Sequence, residues 1–209
     1  TWAYRQDQLP TTHPIAADMY DLEAVELNFD GITYAKGASA LRQLVAWVGE
    51  AQFVEGLRRY FQAHRWGNTE LRDLLVELEA TSGRQLADWS RDWLQTAGVN
   101  LLRPEVEIDD SGRYARVDIL QEPPATPPGL PPVLRGHRIR VGLYDVVDEH
   151  LVRSHQVELD VVGERTAVPE LVGRPASELL LLNDDDLTFA KIRLDPRSPF
   201  ALLGLGRVC

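Results

Sequence analysis

The sequence predicts a multi-domain α+β chain: an antiparallel helical array followed by an antiparallel β-sandwich. Three observations point there. All five tryptophans (Trp2, Trp47, Trp66, Trp89 and Trp93) precede residue 100, whereas 11 of the 13 prolines follow it. Apolar residues recur at helical spacing before that point and alternate at strand spacing after it. The change falls near Gly98–Pro104. Expected boundaries are therefore 1–98 for the helical part, 99–103 for a linker, 104–188 for the sandwich and 189–209 for a tail.

The helical stripes can be named. Leu41, Leu44, Val45 and Val48 sit at i, i+3, i+4 and i+7, and Gly49 follows as a stop. Phe53, Leu57, Tyr60 and Phe61 repeat the pattern up to His64, a residue suited to the negative end of a helix dipole. Asn68 or Thr69 is expected to cap the next helix, whose stripe is Leu71, Leu74, Leu75 and Leu78 and whose end is Gly83. Leu86, Trp89, Trp93 and Leu94 form a fourth stripe, closed by Gly98. Four amphipathic helices with short connections bury one face each against their neighbours.

Beyond residue 104 the period becomes two. Ala115, Val117 and Ile119 alternate with Arg116 and Asp118, and Ile139, Val141 and Leu143 alternate with Arg138, Arg140 and Gly142. Val157, Leu159 and Val161 continue the pattern, and Leu179–Leu182 reads as a strand buried on both faces. Asp109-Asp110-Ser111-Gly112 is a turn signal between the first two strands. The six prolines between Pro123 and Pro132 predict an exposed extended loop. From Asp195 onward neither period is present, and loose packing is expected.

Composition narrows the partners. With 22 basic and 32 acidic residues the net charge is −10, which argues against nucleic acid and anionic membrane surfaces as partners. No apolar run approaches the roughly 18–20 residues a bilayer span needs, so a soluble protein is expected. The single cysteine, Cys209, fits a reducing compartment, and residues 1–30 lack the pattern of a signal peptide, so the expected location is cytoplasmic. Only two lysines, Lys36 and Lys191, stand among the basic residues, a bias that fits a GC-rich genome. The chain opens at Thr1 inside what reads as structured sequence and has one methionine, Met19, so it reads as a piece of something longer.

Metal and nucleophile signals are weak. None of the five histidines (His13, His64, His137, His150 and His155) stands in an H-E-x-x-H or at helical i, i+4 spacing. Asp184-Asp185-Asp186 lacks the spaced pattern of a calcium loop and reads as a solvated turn. There is no G-x-S-x-G, phosphate-binding glycine loop or C-x-x-C.

One string carries more. Phe29-Asp30-Gly31-Ile32-Thr33-Tyr34-Ala35-Lys36-Gly37-Ala38 resembles the tyrosine motif of the aminopeptidase N family of zinc metallopeptidases, in its bacterial, gluzincin form. Thr11-Thr12-His13-Pro14-Ile15, Tyr60-Phe61, Trp66-Gly67-Asn68-Thr69, Trp93-Leu94-Gln95-Thr96-Ala97-Gly98 and Asn183-Asp184-Asp185-Asp186-Leu187-Thr188-Phe189-Ala190-Lys191 follow in family order. The resemblance covers roughly residues 1–195. It implies that residues 1–98 are the C-terminal helical half of a thermolysin-like catalytic domain, that the sandwich follows it, and that residues from about Ala190 enter a further helical domain. The family pattern fails over Ser198–Cys209, which a frameshift or misassembled end would explain.

The resemblance also implies chemistry. The tyrosine matching Tyr34 would be catalytic, donating its hydroxyl to the oxyanion that forms at the scissile carbonyl of a peptide substrate. The family's zinc ligands, catalytic glutamate and G-A-M-E-N motif all lie upstream of that tyrosine and are absent here. The expectation is therefore a chain with no cofactor of its own, zinc belonging to the complete enzyme. Its partner would be the missing zinc-bearing N-terminal half, and on its own it would hydrolyse nothing. The alternative is a non-catalytic binding or scaffolding module with an aminopeptidase-like fold.

Overall fold

The computed structural model describes residues 2–17 and 20–198, and the expected helical array followed by a β-sandwich is what it contains. Two short helices, α1 (Trp2–Gln6) and α2 (Leu22–Leu27), lead into a π-helical turn (Ile32–Lys36). α3 (Gly37–Val48), α4 (Glu50–His64), α5 (Leu71–Ser82) and α6 (Ala87–Leu94) follow, and they are the four periodic stripes. Leu44, Val48, Leu78, Leu86, Trp89 and Trp93 meet in one apolar core, joined by Ala3 and Phe189 from the two ends of the chain. Burial of each large side chain contributes about 1.5–3 kcal/mol. Leu41, at the head of the α3 stripe, remains half exposed, as do Phe61 and Leu71.

The start of α5 differs from expectation. Neither Asn68 nor Thr69 caps it: Glu70 does, in a capping box with Asp73, whose carboxylate accepts from the Glu70 N–H at 2.9 Å. Thr69 instead hydrogen-bonds the Tyr60 hydroxyl (2.6 Å), tying the loop back to α4. Gly83 does end α5, in the left-handed conformation (φ 70°).

The sandwich has two sheets. In one, β5 (Arg165–Ala167), β2 (Tyr114–Glu122), β1 (Leu101–Ile108) and β7 (Lys191–Ile192) lie in that order; in the other, β4 (His150–Val161), β3 (His137–Val147) and β6 (Leu179–Asp184). All pairings are antiparallel except β1 with β7. The alternating residues Val117, Ile119, Ile139, Val141, Leu143 and Val161 fill the space between the sheets with Leu102, Leu180 and Leu182. The β1–β2 turn forms as expected, with the Asp109 carboxylate accepting from the N–H groups of Ser111 and Arg113.

Two details correct the sequence reading. Asp184 is not solvated: it is buried, and its carboxylate accepts from Tyr144, Arg153 and Gln156. Residues 195–198, where loose packing is expected, are tied down, Arg197 donating to Val106 O (2.8 Å) and buried Ser198 to Glu178 O (3.2 Å). Residues 199–209 lie outside the described residues. Among the described residues no helix is long and apolar enough to cross a membrane.

The helical part and the sandwich are locked by buried polar groups. Gln43 of α3 is fully buried, donates to Arg138 O (2.9 Å) and Leu187 O (3.0 Å), and accepts from the Arg138 N–H. Trp93 donates to Gly136 O (2.9 Å) and meets the His137 ring edge-on at 5.2 Å. The Gln121 amide nitrogen donates to Gly163 O, which leaves its oxygen to accept from His137 Nε2 (3.0 Å), while Nδ1 faces the Thr188 hydroxyl (2.7 Å). Burial, with the Arg135 charge adding to it, pushes the His137 imidazole down to about 3, so it stays neutral in the fold. An unfolded histidine titrates near 6.5, so between about 6.5 and 3 the unfolded chain binds a proton that the folded chain does not. Stability is then lost as pH falls through that window. Urea unfolding of the wild type and His137→Gln from pH 7 to 4 is expected to diverge below pH 6.5, the wild type losing about 1.4 kcal/mol more per pH unit. Parallel curves would refute this.

Candidate functional site

Tyr34, the one catalytic residue expected from the sequence, stands on the π turn between α2 and α3. Such turns are rare and concentrate at functional sites, because the widened i→i+5 bond re-aims side chains relative to the helix that follows. Here the Gly37 N–H reaches both Ile32 O and Tyr34 O. The Tyr34 side chain is 54% exposed, and its ring has Phe29 beside it at 5.5 Å. Among the described residues its hydroxyl makes no hydrogen bond. Trp2, Tyr20, Leu22 and Phe29, which precede it in the chain, are also exposed, so the first 34 residues present several large apolar side chains to solvent.

The turn itself is anchored at both ends. At its start, buried Asp30 accepts from the N–H groups of Ile32 (2.9 Å) and Thr33 (3.0 Å) through Oδ1. Its Oδ2 lies 2.8 Å from His13 Nε2 and accepts from the Gln6 amide. At its end, Lys36 is buried with its ammonium 2.9 Å from Asp7, neither side chain reaching solvent. Burial chiefly, and the nearby Arg135 charge next, push the Lys36 ammonium down to about 8 against the opposing pull of Asp7. Asp7 also accepts from Thr12 (2.7 Å) and from the Gly98 N–H (2.9 Å).

Arg135 completes the assembly. Its buried guanidinium donates to Asp92 O, Thr96 Oγ1, Ala97 O, Gly98 O and Asn100 Oδ1, and so holds the segment after α6 in place. Tyr4 stacks on Phe189 at 4.2 Å and donates to Ala190 O. Asn183, in the left-handed region (φ 57°), closes its loop by exchanging hydrogen bonds with the Thr188 backbone. Segments far apart in sequence, 11–15, 29–38, 93–98 and 183–191, are thus linked around the buried Asp7–Lys36 pair that ends the turn carrying Tyr34.

Comparison with known proteins shows what the chain is similar to. Residues 1–93 match the profile of the Peptidase family M1 domain. The chain is 60% identical over 201 residues to Aminopeptidase N of Streptomyces lividans, an alignment that covers 95% of this chain and 24% of that protein.

Over nearly its whole length this chain is similar to an aminopeptidase N.

More distant relatives include the Tricorn protease-interacting factor F2 of Thermoplasma acidophilum, 36% identical over 115 residues, and the Leucyl aminopeptidase of Saccharolobus solfataricus, 36% identical over 120 residues. Those alignments cover 55% and 57% of this chain and 14% of each relative. The chain thus spans about a quarter or less of the length of these relatives. Of the strings that carry the resemblance, four are linked around the turn that bears Tyr34, whereas Tyr60-Phe61 and Trp66–Thr69 lie at the end of α4 and in the loop after it, joined to each other by the Tyr60–Thr69 hydrogen bond.

Zinc, which the family resemblance implies, does not fit the described residues. Among the described residues no group of three or more His, Cys, Asp or Glu side chains is placed to hold a metal ion. The ring nitrogens of His13 and His137 are already engaged by Asp30, Pro14, Gln121 and Thr188. The sequence reading missed Asp7, Asp30, Lys36 and Arg135 as structural determinants. Two of them, Asp30 and Lys36, stand inside the quoted tyrosine motif, a signal that was legible.

Proposed function

We propose that this chain is part of a zinc-dependent aminopeptidase that releases N-terminal residues from peptides. Within it, Tyr34 supplies a hydrogen bond to the oxyanion formed at the scissile carbonyl, and the zinc-bearing half is contributed by sequence upstream. The observation that carries this reading is an exposed tyrosine, its hydroxyl without a hydrogen bond among the described residues, on a π turn whose backbone is anchored by buried charges at both ends. A donor of this kind lowers the barrier because its geometry is set before charge develops, so no reorganisation is needed in the transition state. Support for the docked upstream half comes from the large apolar side chains that the first 34 residues leave exposed, among them Phe29 beside Tyr34, since exposed apolar surface marks interaction sites.

The coding DNA upstream of Thr1 tests the reading. An in-frame H-E-x-x-H, which places two histidines on one helix face with a glutamate between them, is the expected result. The protein translated from that longer frame is expected to release N-terminal amino acids and to carry stoichiometric zinc. A start codon with a ribosome site immediately before Thr1, and no such motif upstream, would leave a non-catalytic module. The 209-residue chain alone is expected to bind a hydrophobic dye and to release no amino acid from peptides; turnover by this chain with bound zinc would contradict the proposal.

A further inference from the structure

We propose that Asp30, held by His13 and Gln6, positions Tyr34 through the backbone of the π turn. The inference rests on the reading of Tyr34 given above and assigns a role to residues which that reading leaves unexplained. Four consecutive backbone N–H groups end on two side-chain-bearing residues. The Gly31 N–H donates to Gln6 Oε1 (2.9 Å), those of Ile32 and Thr33 donate to the Asp30 carboxylate, and that of Tyr34 donates to Asp30 O (3.1 Å). The Tyr34 N–H has the Asp30 carbonyl one turn before it, but those of Gly31, Ile32 and Thr33 have no such backbone partner, so the Gln6 and Asp30 side chains hold the start of the turn in register.

His13 secures the acceptor. Its Nε2 lies 2.8 Å from Asp30 Oδ2 and its Nδ1 lies 2.8 Å from Pro14 O, so contacts at both ends of the ring fix its orientation. Gln6 spans the same gap, its nitrogen on Asp30 and its oxygen on Gly31. Space is closed as well: a Cβ on Gly31 would stand 2.9 Å from the Trp2 ring and from Gln6 Oε1. Asp30 is buried, so a lost partner leaves its carboxylate short of a donor. The Tyr34 ring, by contrast, is half exposed and touches one aromatic neighbour, Phe29. Its direction is therefore set by the backbone beneath it, and the backbone by Asp30. The same geometry explains why the Thr11–Ile15 and Phe29–Ala38 strings occur together: one supplies His13 and the other the carboxylate it grips.

The test uses the full-length aminopeptidase that contains this segment, with kcat and KM measured for His13→Ala and His13→Gln in the wild-type and Tyr34→Phe backgrounds. His13→Ala is expected to lower kcat about tenfold with KM within about twofold, since a small misplacement of a catalytic group acts on the transition state. His13→Gln, whose amide reaches the Nε2 position, is expected to recover most of that loss. In the Tyr34→Phe background, His13→Ala is expected to change kcat by less than about twofold, because a residue acting through another adds nothing once that one is gone. An equal loss in both backgrounds overturns the positioning role. A Tyr34→Phe enzyme with normal kcat would instead overturn the oxyanion reading. A fluorotyrosine at position 34 then judges the positioning on its own. Its ¹⁹F resonance is expected to shift or broaden in His13→Ala and to return in His13→Gln, and a resonance indifferent to both variants overturns the proposal.

Discussion

Tyr34→Phe in the full-length enzyme is expected to lower kcat by about 10²–10³, equivalent to about 2.7–4 kcal/mol of transition-state stabilisation, while KM stays within a factor of about three. The asymmetry follows from what the hydroxyl does. A substrate carbonyl is a neutral, modest acceptor, whereas the oxyanion it becomes is charged, so the hydrogen bond strengthens as the barrier is climbed. The ring of Phe preserves the contact with Phe29 and the exposed apolar surface, so folding and docking should survive the exchange. Steady-state kinetics on a peptide or aminoacyl anilide reads the effect. A loss in kcat below tenfold, or a loss confined to KM, would remove Tyr34 from the chemistry.

Lys36→Met is expected to cost about 3–5 kcal/mol of stability, measured by urea unfolding of this chain. The pair with Asp7 has no solvent on either side, so losing the ammonium strands a carboxylate. Its remaining donors, Thr12 and the Gly98 N–H, are too few to replace a charge. A protein with a total stability of about 5–15 kcal/mol does not absorb that loss easily. Pairing the change with Asp7→Asn is expected to recover a good part of it, since the unpaired charge goes as well. A single variant that loses less than about 1 kcal/mol would show that water reaches the pair.

The helices α3–α6 and the long strands were legible because each carries enough residues for its period to show. α1 and α2, of five and six residues, are too short for that, and β5 and β7 are shorter still, their existence depending on partners far away in sequence. The cap of α5 was misplaced because Asn68 and Thr69 have better local capping chemistry than Glu70, yet Thr69 is drawn to Tyr60. At the candidate site, Tyr34 was found through its motif, not through periodicity. The residues beneath it were missed for a physical reason. Asp7, Lys36 and Arg135 are charged, and charged side chains are expected outside; they are buried only because folding brings partners 29 to 91 residues apart together. The π turn left no mark either, since it is a backbone feature set by Asp30, His13 and Lys36 jointly.

The most direct test of the central claim is the structure of the full-length enzyme with a phosphinic dipeptide, whose tetrahedral phosphorus carries oxygens where the oxyanion would sit. The Tyr34 hydroxyl is expected to lie about 2.7–3.1 Å from one of those oxygens, hydrogen-bond distance for a donor aimed at the developing charge. A hydroxyl more than about 4 Å away, or one turned toward another protein group, would contradict it.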